Sequence, residues 1–505
     1  MASVLHVGDL IPYLTPLNIT VLSIGTCVFY VVGLCVYNIY LHPLSKFPGP
    51  KLSACTQIFH SRDWLGGDYP RAIKRLHDKY GPVVRTGPNQ LSYSSASSWK
   101  DIYGHVGGRK QFLKSAFYED LRAPNIVSER NPHKHGVMRR TLSHGFSAKA
   151  LAEQEDLVHQ YVDKLISQIN VHATGEAGAN MVQWYNFTTF DIIGDLAFGD
   201  AFGCLEQGKP HFWISMIMDS FKAGAWISVL SRYPYLIQHL PRFISKQALQ
   251  ARKNHMQYSE DQVVKRMAAT TTRRDLLSGL VMKQETDEKR TVDEMASHAQ
   301  VLIIAGSETT ATVLSGLSYF LLNNPSKYQR LVEEIRSAFT TYNEIDGITT
   351  DRLPYLKAVI EEGLRAYPVV PFGLPRMSPG ETVDGVFVPK GTEVFTSSYA
   401  ATHSEDNFHR PYDFLPERWM DPGSEDKKAA SQPFSIGSRG CIGRSLALME
   451  MRMILAKMLW SYDMHAVNPE IDWIAIQRAY VLWEKPELIL RYTRRAGIIV
   501  PPIDG

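Results

Sequence analysis

The chain has 505 residues, 44% hydrophobic and 21% charged, which is ordinary material for a large globular core. A formal net charge of +3 is too small to imply a nucleic-acid partner. Its five scattered cysteines, Cys27, Cys35, Cys55, Cys204 and Cys441, form no disulfide framework and favour a reducing compartment.

No C-x-x-C, H-E-x-x-H or G-x-S-x-G occurs, so the usual zinc sites and the serine-hydrolase elbow are absent. Length alone suggests about three domains. No repeat, low-complexity tract or flexible linker divides the chain, so one large domain is the better reading.

No Asp, Glu, Lys or Arg occurs between Asp9 and Lys46. Within that gap Ile19 to Leu41 is a mostly apolar run, enough to cross about 30 Å of hydrocarbon as a helix. Tyr37 and Tyr40 stand where interfacial aromatics belong. No Lys or Arg precedes the run and it is too long for a signal-peptide core, so it is predicted to remain as an anchor. Lys46, Lys51 and Arg62 follow it, which puts residues 1–18 in the lumen and the body in the cytosol. The sequon at Asn18 touches the membrane, and the one at Asn186 lies on the cytosolic side. Residues 42–52 form a stiff connector, with Pro43, Pro48 and Pro50 fixing φ. Residues 53–505 form the body.

In the body, Tyr69 to Tyr80 reads as a helix and Pro82 to Ser95 as a hairpin with a Gly-Pro-Asn turn. From Pro132 to Ile335 the pattern is mostly helical, with loops near 172–180 and 200–211. "GCLEQGKP", from Gly203 to Pro210, starts like a phosphate loop, but Pro210 replaces the Ser or Thr that would hold Mg²⁺. Residues 381–397 return to strand character. The segment after Cys441 is nearly apolar and reads as a buried helix. The expected fold is mainly α with small β-sheets, without alternating βα units.

Four constellations carry chemistry. In "PFSIGSRGCIGRSLALME", Phe434, Gly437, Arg439, Cys441 and Gly443 stand as F-x-x-G-x-R-x-C-x-G, with Ala447 and Glu450 downstream. Glycines let backbone fold closely around a sulfur. A cysteine opening a helix meets orphan N–H groups that favour a thiolate, a soft ligand for iron. "EEGLRAYP" places Glu362 and Arg365 on one helix face. "VLIIAGSETTATVL" interrupts an apolar helix with Gly306, Glu308, Thr309 and Thr310. An unpaired carboxylate buried there is expensive, and a threonine there often just bonds back to the i−4 carbonyl. Finally, His135 and Arg139 in "NPHKHGVMRRTLSHGFS", Arg376 in "PFGLPRM", and Arg439 are cations spread along the chain.

These motifs, in this order, resemble the cytochrome P450 family over nearly the whole chain. The cysteine loop is similar to that family's haem-binding loop, and Ala305 to Thr310 match its [AG]-G-x-[DE]-T-[ST] signature. The connector "NIYLHPLSKFPGPKL" and the H-x-x-x-R-R variant are most similar to fungal microsomal members of secondary metabolism, in the group of isotrichodermin C-15 hydroxylase.

The resemblance implies haem b with Cys441 as iron ligand. Arg139, His135 (where tryptophan is usual), Arg376 and Arg439 would face its propionates, and Phe434, Gly437, Gly443, Ala305 and Gly306 would shape its cradle. Small residues at Ala305 and Gly306 would leave room for O2, Thr309 would hydrogen-bond it, and Glu308 would relay protons. Glu362, Arg365 and Arg418 of the "PERW" turn would form a buried structural core. Ile304, Val369, Val370, Leu374 and Tyr480, the loop around 103–125 and the stretch 211–226 would meet a hydrophobic small molecule.

The implied activity is monooxygenation at the endoplasmic reticulum membrane. Electrons would come from NADPH through a separate NADPH–cytochrome P450 reductase, with cytochrome b5 as an alternative donor. The reductase would dock on Lys134, Arg139, Arg140, Arg444 and Arg452. The alternatives are a haem-thiolate isomerase or dehydratase that does not use O2, and a membrane-tethered haem or lipid binder without catalysis.

Overall fold

The computed structural model describes residues 15–119, 123–233, 246–268, 276–277 and 291–498. The first described element is a helix, Pro16–Val36, that continues to Leu41 in a wider π turn. It starts three residues before the expected Ile19. Thr15 caps it by accepting the Asn18 N–H, and Pro16 fits the first turn, whose N–H groups need no helical partner. None of its residues is buried, and it is long and apolar enough to cross a membrane. Residues 1–14 of the expected luminal tail lie outside the described residues.

The connector is docked on the body. Leu44 and Phe47 are buried in an apolar cluster with Leu91, Tyr93 and Trp99. The Arg85 N–H donates to the Pro48 carbonyl at 2.7 Å, and its guanidinium donates to the Asn38 carbonyl at 2.7 Å. The end of the anchor is thereby tied to the first hairpin.

That hairpin, Val83–Gly87 with Gln90–Tyr93, opens a five-stranded mixed sheet. Its second strand pairs in parallel with Glu393–Thr396. Arg376–Met377 comes next and Leu113–Lys114 closes the edge. The other sheets are small: Ala179–Asn180, Ile489–Arg494 and Tyr462–Ala466 form one, and Glu381–Val383 with Val386–Val388 forms a two-stranded ribbon.

Helices make the bulk of the body. The central helix, Val292–Leu322, begins in a capping box in which Thr291 and Glu294 satisfy each other's N–H groups at 3.1 and 3.0 Å. It runs through the main core and packs most heavily on the helix Met181–Phe198. Arg444–Ser461 follows the cysteine loop and is buried almost throughout from Met449. The stretch that mimics a phosphate loop is a single turn, Cys204–Gln207. Its free N–H groups at Cys204 and Leu205 already donate to the Asp191 carboxylate at 3.1 and 2.8 Å.

Candidate active site

The cysteine loop is closed by backbone bonds. The Cys441 N–H donates to the Phe434 carbonyl at 2.8 Å, and the Gly440 N–H to Gly437 at 3.0 Å. Gly437 has φ +73°, and a Cβ there would overlap the Tyr103 carbonyl, so glycine is required on both counts. Gly443 caps the following helix, placing Cys441 two residues before the cap rather than at the helix start. Protein crowds the Cys441 sulfur on most sides, yet its surface is exposed, so it lines a recess. Burial pushes the thiol above its ordinary pKa, against the pull of the Gly443 N–H and of Arg139 and Arg444.

Around the recess the fold gathers cations with few anions. The register of the sheet sets Lys114 directly opposite Arg376. Like charges opposed in this way are destabilising. Among the described residues, Arg376 donates only to Tyr118 Oη at 3.2 Å and to the carbonyls of Leu374 and Pro375. Arg439 donates to the carbonyls of Glu129 and Arg130, Arg139 to that of Gly440 at 2.6 Å, and Lys114 to that of Val127. None of the four makes an ion pair with a described carboxylate.

Burial with Arg439 and Arg376 lowers Lys114 to about 6, and burial with Arg376 lowers Arg439 to about 10. Burial with the neighbouring cations holds His135 at about 3, so its ring is neutral and keeps one N–H to donate. A group with two carboxylates beside a metal suits this donor set, and haem is such a group. Lys114 and Tyr118 escaped sequence reasoning because only the strand register brings them to Arg376.

On the central helix, Ala305 is exposed toward solvent-accessible space and Thr309 is half-buried. Thr309 Oγ1 donates to the Ala305 carbonyl at 2.6 Å. A Cβ on Gly306 would meet Ile193 Cγ1 at 2.6 Å, so the close approach of the helix Met181–Phe198 accounts for this glycine.

Glu308 is buried and paired. Lys485 Nζ donates to Glu308 Oε2 at 2.9 Å and to Thr312 Oγ1 at 2.8 Å, and both charged side chains are at most 3% exposed. Lys485 lies 177 positions away, and no local pattern marks it. Glu450, on the cysteine-loop helix, hydrogen-bonds Thr310 from the other side, and burial raises its carboxyl to about 8.

Glu362, Arg365 and Arg418 form one buried network. Arg365 grips Glu362 through Nε at 2.8 Å and Nη2 at 2.9 Å, and Arg418 Nε reaches Glu362 Oε1 at 3.2 Å. Trp419 Nε1 and the Leu415 N–H fill the remaining acceptor sites at 2.9 and 2.8 Å. Asp426 balances Arg418. Arg365 also donates to the carbonyls of Thr402, Pro411 and Asp413, which ties the helix Pro354–Ala366 to the loop before the PERW turn.

The expected substrate residues are spread over separate apolar clusters. Ile304 and Val369 pack on the main core, Val370 and Tyr480 share a second cluster, and Leu374 belongs to the sheet cluster. In the stretch 211–226, Trp213 is buried while Phe212 is half exposed and Trp226 more than half exposed. Residues 120–122 of the loop around 103–125 lie outside the described residues. Of the expected docking cations, Lys134, Arg140 and Arg444 are exposed. Arg139 instead faces the cysteine loop, and Arg452 is mostly buried on Asp351 at 3.2 Å.

The family described as Cytochrome P450 matches residues 48–490. A cytochrome P450 monooxygenase of Penicillium roqueforti is 43% identical over 92% of both chains. One of Botryotinia fuckeliana is 42% identical over 90% of this chain and 88% of its own. The averantin hydroxylase of Dothistroma septosporum is 39% identical over 94% of this chain and 91% of its own.

Proposed function

The chain belongs to the cytochrome P450 family and is a monooxygenase, and we propose that it oxidises a hydrophobic small molecule of fungal secondary metabolism by R–H + O2 + NADPH + H⁺ → R–OH + H2O + NADP⁺. The observation that carries this reading is Cys441 lining a recess beside a cluster of cations that, among the described residues, form no ion pair with a carboxylate. Cys441 would be the metal ligand. Arg376, Arg439, Arg139, Lys114 and neutral His135 would hold the two carboxylates of haem b. Phe434, Gly437 and Gly443 would set the loop, and Ala305 the facing helix surface. When bound, haem supplies activation of O2 and oxidation of the substrate C–H bond.

The chain's own contribution is position and protons. Thr309 Oγ1, released from the Ala305 carbonyl, would present its hydroxyl to the recess. Glu308, once turned from Lys485 Nζ, would take a proton from solvent and pass it to Thr309. Glu362, Arg365 and Arg418 would hold the fold around the cofactor. NADPH electrons would arrive through a membrane-bound reductase, or cytochrome b5, docking on Lys134, Arg140 and Arg444. Residues 19–41 would anchor the protein in the endoplasmic reticulum membrane, with residues 1–18 luminal, 42–52 connecting, and 53–505 cytosolic.

The test is microsomes holding the full chain and a reductase, supplied with isotopically labelled O2 and the compound that accumulates in a deletion strain. Labelled, NADPH-dependent product supports the reading. Turnover without O2 or NADPH replaces it with the isomerase or dehydratase. Failure of every ligand to stimulate NADPH use leaves only a binder.

A further inference from the structure

Next to the cation cluster lies a second recess, and Phe117 of the loop around 103–125 is part of its wall. Trp64, Tyr69, Phe117, Phe372 and Phe395 wall it. The rings form a continuous aromatic face: Trp64 lies 4.9 Å from Tyr69, 5.0 Å from Phe372 and 6.1 Å from Phe117, between ring centroids. His60 stacks on Trp64 at 5.6 Å.

Into this apolar wall the fold sets polar atoms that it does not satisfy. Trp64 Nε1, His60 Nδ1 and Arg232 Nε are buried with no hydrogen-bond partner, and all three residues line the recess. An unmade hydrogen bond at a buried polar atom is costly, so three such atoms at one place point to a site that receives a hydrogen-bonding group. The charge of Arg232 is already met, because its Nη2 reaches Glu393 Oε1 at 3.2 Å. Burial and Arg232 hold His60 well below its ordinary pKa, so its ring is neutral. The recess therefore suits a neutral oxygen rather than a carboxylate. Two fixed N–H donors and one histidine nitrogen that can donate or accept fit a carbonyl or a phenol.

Its position joins it to the active site. Pro375 lines it and precedes Arg376. Phe117 precedes Tyr118, which accepts from Arg376. Val370 and Tyr480 pack on the same cluster as Trp64 and Phe372.

We propose that this recess is the polar anchor of the substrate: it seats a carbonyl or phenolic oxygen of a flat, ring-based molecule whose far end reaches the Cys441 recess. The proposal rests on the monooxygenase reading and names its substrate class.

The probes are fluorene, 9-fluorenone and 2-hydroxyfluorene, three compounds on one ring frame, titrated by Soret shift into the full-length holoenzyme. The expected result is that an oxygenated probe binds about 10-fold more tightly than fluorene, the ratio that about 1.4 kcal/mol provides. Trp64→Phe keeps the wall and removes a donor, and Arg232→Lys keeps the charge and removes Nε. Each should cut the preference to about 2-fold, with fluorene affinity unchanged. Equal affinities in the wild type, no binding of any probe, or a preference that survives both substitutions overturns the proposal. The carbon monoxide spectrum of the same preparations reports the haem-thiolate reading separately, so the two can fail independently.

Discussion

Among the described residues, two helices are long and apolar enough to cross a membrane: Pro16–Leu41, which buries nothing, and Val292–Leu322, which is mostly buried in the protein. Hydrophobicity does not separate them; their polar residues do. In the first helix, Thr20, Ser23 and Thr26 each donate to the carbonyl four residues back, so these hydroxyls are satisfied within the segment. In the second, Glu308 and Thr310 find partners on other elements, at Lys485 and Glu450. A helix that needs outside partners for its polar groups belongs in a protein core, while one that needs none can face lipid.

The comparison breaks most visibly by truncation. Removing residues 1–41 should move essentially all of the protein out of carbonate-washed membranes while leaving the carbon monoxide spectrum of the body intact. Loss of that spectrum would mean that the docked connector alone does not hold the fold and that the tie from Arg85 to the Asn38 carbonyl is needed.

In the central helix, Lys485→Met strands the Glu308 carboxylate and should lower stability by about 3–5 kcal/mol. Adding Glu308→Gln should restore most of it, read as the thermal midpoint of the Soret band. An unchanged midpoint in the single variant would show that the pair contributes nothing.

Glu450 gives a pH-dependent version. Its folded pKa of about 8 lies above the ordinary 4.5, so the folded state binds the extra proton and stability falls as pH rises between those values. Glu450→Gln should flatten that fall and add about 3 kcal/mol at pH 7, at about 1.36 kcal/mol per unit. Thermal midpoints taken from pH 5 to 8 check it.

The smallest test makes one substitution in both helices. Gly306→Ala drives a Cβ into Ile193 and should cost about 1–3 kcal/mol. Gly25→Ala meets nothing within 4 Å and should leave the midpoint unchanged. Equal effects at both sites would erase the distinction between a packed and a free face.

Local order set much of what could be read in advance. Charge-free length gave the apolar N-terminal helix, Gly-Pro-Asn the first hairpin, and the three-residue spacing of Glu362 and Arg365 their shared helix face. The cysteine loop was legible because Gly437 must adopt a positive φ against the Tyr103 carbonyl. Less was legible where one motif residue had two explanations: Gly306 is needed for Ile193, and Thr309 bonds to its own helix.

The sequence by itself determined the helices, the turn chemistry and the identity of the side chains at fixed local spacing, because backbone geometry links neighbours within a few residues. The tertiary structure alone decided that Lys485 neutralises Glu308, that Lys114 stands opposite Arg376, and that Trp64, His60 and Arg232 line one recess. These meetings depend on strand register and helix packing across more than a hundred residues, where no spacing rule operates.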